Sequence, residues 1–288
     1  MPREGVRTMR RNGSHFAYMT KIALAVLTTA AVISPGASQA QGNLLIAPTR
    51  LVLDGRRSGE VVLANTGNEP ETYRVSLELR RMNENGDLEP VAEAEANATE
   101  KAALAMIRYA PRRVTLPPTQ PQSIRISVRP GAGLPDGEYR VHMSFAALPK
   151  VHPVADAPAS PTGISINLIP IYGIVMPIIV RKGELTVKAG LANPHIVHGP
   201  KGDEFAIDMT RSGTESVYGD ILVSPRGAKD PVFVVRGVGV YPEINVRHAS
   251  FPISAEQEAA MKGPVHIEFR EASENGGAEI ASIDTVIG

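Results

Sequence analysis

Histidines and carboxylates are the side chains of this sequence whose spacing could suggest chemistry, and its 288 residues contain no cysteine. Thiol catalysis, disulfide bonds and Cys-ligated metal sites are therefore excluded. His195 and His198 have an HxxH spacing, but proline and glycine flank them where a metal-binding helix would be needed. Asp203-Glu204 is typical of a solvated turn rather than of a catalytic pair of carboxylates. These patterns predict no catalytic residue and no metal site.

Sequence motifs of the common enzyme classes are missing as well. The chain has no Gly-x-Ser-x-Gly, no phosphate-binding loop and no helix with paired histidines. Gly237-Val238-Gly239 lacks the third glycine and the following helix of a dinucleotide site. The 30 basic and 30 acidic side chains give a net charge of +0, which provides no long-range attraction for nucleic acid. We therefore expect no enzyme activity, no cofactor, no small-molecule substrate and no nucleic-acid partner.

The first forty residues resemble an export signal. A basic start is followed by the apolar run 22–33, a Pro-Gly break and the small residues of Ser38-Gln39-Ala40. A membrane anchor is the alternative, but the run is shorter than the roughly twenty residues that span a bilayer. The long basic start leaves Met1, Met9 and Met19 open as the first residue. We predict a signal peptide over 1–40 and a soluble, exported chain from Gln41.

Most of the remaining chain alternates between apolar and polar residues with a period of two, which predicts β-strands with one face in a core and one in water. Turn residues separate the runs, as in β-sandwiches. Helix signals are few: a capping box at Ser254–Gln257, and the Ala-rich segment 92–106, which is either a helix or a mobile insertion. The alternating runs are Tyr73–Arg80, Ile124–Val128, Tyr139–Phe145, Leu185–Ala189, Phe205–Met209 and Val265–Phe269.

An uncharged run from Ile164 to Val180 is the unusual feature of the sequence. It follows a segment rich in Pro and Ala, 150–163, which we predict to be a mobile loop. The run fits a central strand that is buried on both faces. It also fits a strand whose apolar edge is offered to a partner, with Ile164, Ile166 and Leu168 on one face.

In order and spacing, the predicted strands resemble the periplasmic chaperones of chaperone–usher pilus assembly, the PapD-like family. The resemblance covers about residues 44–183 and thins over 184–288. It rests on the segments Pro48-Thr49-Arg50-Leu51-Val52-Leu53, Val62-Leu63-Ala64-Asn65-Thr66-Gly67, Ile107-Arg108-Tyr109-Ala110-Pro111-Arg112-Arg113-Val114-Thr115-Leu116-Pro117-Pro118 and Leu134-Pro135-Asp136-Gly137-Glu138-Tyr139-Arg140.

This resemblance implies an all-β fold of two immunoglobulin-like β-sandwich domains at an angle, with a cleft between them. We place the domains at 41–182 and 183–288. It also implies a periplasmic chaperone that binds pilus subunits by donor-strand complementation and delivers them to an outer-membrane usher. The donor strand would be 164–180, with Ile164, Ile166 and Leu168 as the side chains inserted into the subunit.

The resemblance implies roles for three charged residues. Arg50 matches the arginine that binds the carboxylate at the subunit's C-terminus, and a guanidinium can pair bidentately with that group. Glu138 and Arg181 match a pair that fixes the orientation of the two domains. The family's second anchor, a lysine, is missing because its place falls near Pro177. Lys182, Arg112 and Arg113 are candidates to replace it.

A second function is open at this point. An exported structural or adhesive β-sandwich module, without chaperone activity, would have the same strands and the same signal peptide. A free edge at 164–168 in the isolated protein, occupied in a complex, would distinguish a chaperone from such a module.

Overall fold

The structure is a computed structural model that describes residues 43–55, 57–149, 172–272 and 276–288. The predicted signal peptide and the segment 164–168 lie outside the described residues. Most of the described residues belong to β-strands, which confirms the predicted all-β fold. None of the helices in these ranges has the length and apolar character needed to cross a bilayer.

The first ten strands form a sandwich of two sheets. One sheet has the order β1-β3-β8-β6, and the other has the order β2-β10-β9-β4-β5, with β7 also paired to β4. The strands are β1 (Leu44–Ala47), β2 (Leu51–Leu53), β3 (Gly59–Asn65), β4 (Glu71–Met82), β5 (Leu88–Val91), β6 (Ile107–Ala110), β7 (Arg113–Leu116), β8 (Gln122–Val128), β9 (Gly137–Ala147) and β10 (Gly173–Lys182).

The last seven strands form a second sandwich, in which the sheet β11-β12-β15 faces the sheet β14-β13-β16-β17. Three strands facing four is a layout found in immunoglobulin constant domains. The strands are β11 (Val187–Gly199), β12 (Gly202–Gly213), β13 (Val217–Pro225), β14 (Phe233–Val240), β15 (Val246–Pro252), β16 (Gly263–Arg270) and β17 (Glu279–Ile287).

Each sandwich has its own apolar core, formed by the inward residues of the alternating runs. In β9, Val141, Met143 and Phe145 are fully buried, and in β12 the run Phe205–Met209 fills the second core. A small cluster of Met82, Ile179 and Tyr241 lies apart from both cores and joins the first sandwich to the second. The predicted fold of two β-sandwiches is therefore confirmed.

Both helix signals correspond to helices. The helix α1 (Ala98–Met106) begins at Asn97, whose side chain accepts from the Glu100 N–H while the Glu100 carboxylate accepts from the Asn97 N–H. It follows a 3-10 turn (Glu93–Glu95) and contacts β9 and β4. The predicted capping box at Ser254 begins α2 (Ala255–Met261). The segment 92–106 is thus a helix with a turn before it, not an insertion without structure.

Two predictions from the alternating pattern are wrong. His142 was expected in water with Arg140 and Ser144, but it is only 1% exposed. It lies on the outward face of the sheet, in the strand that α1 contacts. Val187 was expected in a core but is exposed, and Leu185 precedes β11. A period of two shows which residues share a face; what covers that face depends on tertiary contacts.

Candidate functional site

Arg50 lies where the first strand changes sheets. β1 pairs with β3 in one sheet, and β2 pairs in parallel with β10 in the other. The short segment between them crosses from sheet to sheet, and Arg50 is its last residue before β2. This position brings the side chain to the second sandwich.

The guanidinium of Arg50 is held by residues of the second sandwich. Its carbon lies 4.4 Å from the centre of the Tyr218 ring and 5.8 Å from that of Tyr241. Nη1 donates to the Tyr241 hydroxyl at 3.4 Å, and Nη2 donates to Ser216 Oγ at 3.3 Å. Two aromatic rings and two hydroxyl groups therefore fix the orientation of the cation.

Arg50 lines an open cleft of about 480 Å³ between the sandwiches. Burial lowers the pKa of its guanidinium, although neighbouring Tyr241 and Glu138 act in the opposite direction. Among the described residues no carboxylate forms an ion pair with it, since the nearby Glu138 and Glu215 pair with Arg181. A partly buried cation without a counter-charge, facing a cleft, is suited to bind an anion from outside.

Glu138 and Arg181 face each other across β9 and β10. Arg181 Nε donates to Glu138 Oε2 at 3.3 Å, and the Arg181 Nη1 to Glu215 Oε1 distance is 2.6 Å. Glu138 Oε2 also accepts from the backbone N–H of Ser216 at 3.1 Å and from Ser216 Oγ at 2.8 Å. The pair predicted from sequence therefore links both sandwiches through Ser216.

The three candidates to replace the missing lysine do not line the cleft. Lys182 pairs with Asp136 at 3.2 Å, and Arg112 lies over the ring of Tyr109 at 5.4 Å. Arg113 is exposed in β7. Arg181 is the second cation that lines the cleft beside Arg50.

A second polar cluster lies at the same junction. Arg140 in β9 forms an ion pair with Glu243, and its guanidinium carbon lies 3.6 Å from the centre of the Tyr241 ring. Glu243 Oε1 also accepts from the backbone N–H of Met82 at 2.8 Å. With Ile179 packed in the same region, these contacts hold the two sandwiches together.

The uncharged run is described from residue 172 onward, and its end differs from the predicted donor strand. Ile178 to Val180 pair with β9 on one side and with β2 on the other. Ile178 and Val180 belong to the first core, whereas Ile179 packs at the junction. The residues 178–180 are thus an interior strand buried on both faces, not an available edge. Ile164, Ile166 and Leu168 lie outside the described residues.

The two histidines with HxxH spacing are not brought together. In a strand, residues three apart point to opposite faces, and both lie in β11. His195 Nδ1 lies 2.7 Å from the Asn193 carbonyl oxygen, whereas His198 Nδ1 lies 2.8 Å from Asp203 Oδ1. Asp203-Glu204 lies in β12, directly after its first residue, rather than forming a turn, which corrects the prediction from sequence.

Four residues that contact Arg50 or Arg181 were not found from the sequence: Glu215, Ser216, Tyr218 and Tyr241. All come from the second half of the chain, and the Arg50 contacts with Ser216 and Tyr241 span 166 and 191 residues. No spacing rule connects positions so far apart. Tyr218 does follow a Gly-containing turn and opens a strand, which is a weak signal by itself.

No protein-family model matches the chain, and a comparison with curated proteins finds no match. Among solved structures, it is similar to the Escherichia coli chaperone DraB, with 14% identity, a TM-score of 0.45, and coverage of 85% of this chain and 96% of that one. The chain is also similar to the Pseudomonas aeruginosa chaperone CupB2, with 14% identity, a TM-score of 0.44, and coverage of 85% of this chain and 100% of that one. A third similar chain belongs to the CsuC–CsuE chaperone–tip adhesion subunit complex, from the archaic chaperone–usher Csu pili of Acinetobacter baumannii. Its identity is 10% and its TM-score is 0.42, with coverage of 85% of this chain and 99% of that one. With TM-scores below 0.5, these likenesses carry no argument about function.

Proposed function

We propose that this chain is an exported periplasmic chaperone that binds pilus subunits by donor-strand complementation and delivers them to an outer-membrane usher. The proposal rests on the residues that resemble the PapD-like family and on the geometry of the cleft. The client would be an incomplete immunoglobulin-like subunit, and no cofactor is needed.

The observation that carries the proposal is the environment of the Arg50 guanidinium. It is partly buried, oriented by two tyrosine rings and a serine, and without an ion-pair partner among the described residues. The C-terminal carboxylate of a client would supply the missing charge through a bidentate pair. Arg181 lies in the same cleft but is paired with Glu138 and Glu215, so Arg50 would carry the interaction with the anion.

The strand β10 supports the second half of the proposal. Its residues 173–177 pair with β9, but within the described ranges the other edge of this stretch has no strand beside it, because β2 covers only Ile178 to Val180. An unpaired edge of this kind can take an added strand through main-chain hydrogen bonds. The predicted donor residues 164–168 come shortly before it in the chain.

Clients with two different C-termini test the role of Arg50. The chaperone would be mixed with a pilus subunit encoded beside its own gene, once with a free C-terminal carboxylate and once with an amidated one. Arg50→Ala should weaken binding of the free acid by about 2–5 kcal/mol, because a desolvated charge pair would lose one partner. The amidated client should be nearly insensitive to the substitution. Equal losses for both clients would show that Arg50 does not bind the carboxylate.

A second comparison separates a chaperone from an exported structural or adhesive module. Ile166→Asp should abolish recovery of the co-expressed subunit, since a charge would enter an apolar groove. Val286→Asp is the matched control, because Val286 is an exposed valine of the second sandwich. If both variants recover the subunit as the unchanged protein does, the donor-strand mechanism is wrong. If the unchanged protein recovers no subunit either, the module without chaperone activity is favoured.

A further inference from the structure

We propose that His198, Asp203 and Glu258 form a binding site for one Zn²⁺ ion at one end of the second sandwich. One ligand atom from each residue can be chosen so that all three lie within 4.8 Å of one another. The site is independent of the cleft and of the proposed chaperone function. The sequence analysis predicted no metal site, but it considered only a site that His198 would share with His195.

The first two ligands come from a tight hairpin. His198 near the end of β11 is the direct cross-strand partner of Asp203 near the start of β12, and the next pair, Gly199 and Gly202, closes the turn. His198 Nδ1 and Asp203 Oδ1 are 2.8 Å apart. Because the backbone pairing fixes both Cα positions, an ion between the two side chains would need only small side-chain rotations.

The third ligand is placed by a separate element. Glu258 lies in α2, whose capping box at Ser254 fixes its first turn. The residue just before that cap, Ile253, donates its N–H to the Asp203 carbonyl oxygen at 3.0 Å. The start of the helix is therefore attached to the hairpin at the residue that supplies the second ligand. Three elements converge on the site through backbone contacts.

The charges at the site favour a divalent cation. Two carboxylates lie side by side; Lys262 pairs with Glu258 at 2.9 Å, and His198 Nδ1 lies 2.8 Å from Asp203 Oδ1. One imidazole with two carboxylate oxygens is a ligand set that Zn²⁺ accepts, with water completing the tetrahedron.

Other histidines that contact carboxylates do not form an equivalent group. His248 meets Asp208, and His266 uses its two ring nitrogens on two different carboxylates. Among the described residues, only the His198 group brings three ligand atoms together at this distance.

The test uses the whole exported chain, prepared without a histidine tag and stripped with a chelator. ZnCl₂ would be added in calorimetric titrations, with the unfolding midpoint measured in parallel. We expect one ion per chain and a raised midpoint, because an ion that binds the folded state stabilises it. His198→Ala and Glu258→Gln should each weaken binding by at least about tenfold, since even partners outside the coordination sphere commonly cost that much.

His195→Ala is the matched control, since it removes an exposed histidine from the same strand but from the opposite face. It should leave both the affinity and the shift of the midpoint unchanged. The proposal is overturned if no saturable binding at one ion per chain is found. It is also overturned if His195→Ala weakens binding as much as His198→Ala, or if Glu258→Gln has no effect.

Discussion

His142 predicts a specific loss of stability in mild acid. It is 1% exposed, and neither ring nitrogen has a hydrogen-bond partner. Burial, together with the positive charges of Arg140 and Arg80, lowers its pKa from 6.5 to about 3. Between these two values the unfolded chain binds a proton that the folded chain does not. The free energy of unfolding must therefore fall as the pH falls below about 6.5.

The magnitude follows from the width of that interval. Each pH unit inside it costs about 1.4 kcal/mol, so moving from pH 7 to pH 5 should cost about 2 kcal/mol through His142 alone. His142→Phe removes the titration and keeps a ring in the same space. At pH 7 the variant should be at least as stable as the unchanged protein, because no hydrogen bond is lost and two buried nitrogens without partners are removed.

Urea unfolding at pH 7 and pH 5, followed by far-ultraviolet circular dichroism, measures the effect, since the chain has no tryptophan to report it. The stability advantage of His142→Phe should grow by about 2 kcal/mol at the lower pH, as the cited pKa implies. His195→Gln serves as the control, because that histidine is exposed. If the difference between His142→Phe and the unchanged protein is the same at both pH values, the folded-state pKa is not depressed and the reasoning is wrong.

Three further substitutions test the junction and the core by equilibrium unfolding. Ser216→Ala should cost about 2 kcal/mol, since Glu138 loses a buried charge-assisted hydrogen bond, and no loss would mean that the Ser216 hydroxyl is not bound there. Glu243→Gln should also lower the free energy of unfolding by about 2 kcal/mol, because it removes the ion pair with Arg140. The loss is smaller than for a fully buried pair, since Glu243 is partly exposed. An unchanged free energy of unfolding at low salt would contradict the ion pair. Ile178→Ala should cost about 3 kcal/mol by opening a cavity in the first core, and Val175→Ala much less; equal losses would contradict the assigned faces of β10.

The strands were predictable where one face is covered by the opposite sheet of the same sandwich. The inward residues of the runs around Val141, Phe205 and Ile267 are buried as predicted. The prediction failed at His142, which is buried although it lies on the outward face. It also failed to choose between two interpretations of the uncharged run, because Ile179 packs against the second sandwich. Contacts between distant parts of the chain decide such cases, and a local pattern cannot contain them.

Of the candidate site, only the residues from 44–183 were predictable from the sequence. Arg50, Glu138 and Arg181 were named through a family resemblance that is strong over 44–183. Glu215 pairs with Arg181, and Ser216, Tyr218 and Tyr241 orient the charged groups by hydrogen bonds and ring contacts. All four come from the part of the chain where the resemblance thins. The charge pattern of the cleft therefore became visible only with the tertiary structure.

The parallel pairing of β2 with β10 has a consequence for how the chain acquires its structure. The paired positions 51 and 178 are 127 residues apart, and nearly the whole first sandwich lies between them. Ribosomes release a chain from its N-terminus, so β2 must wait without its sheet partner until β10 has emerged. Pairing over such a separation is slow, since a long loop must close before the contact forms. Until β10 is available the early strands are exposed to aggregation, and a holding factor that acts before this pairing should raise the yield of folded protein.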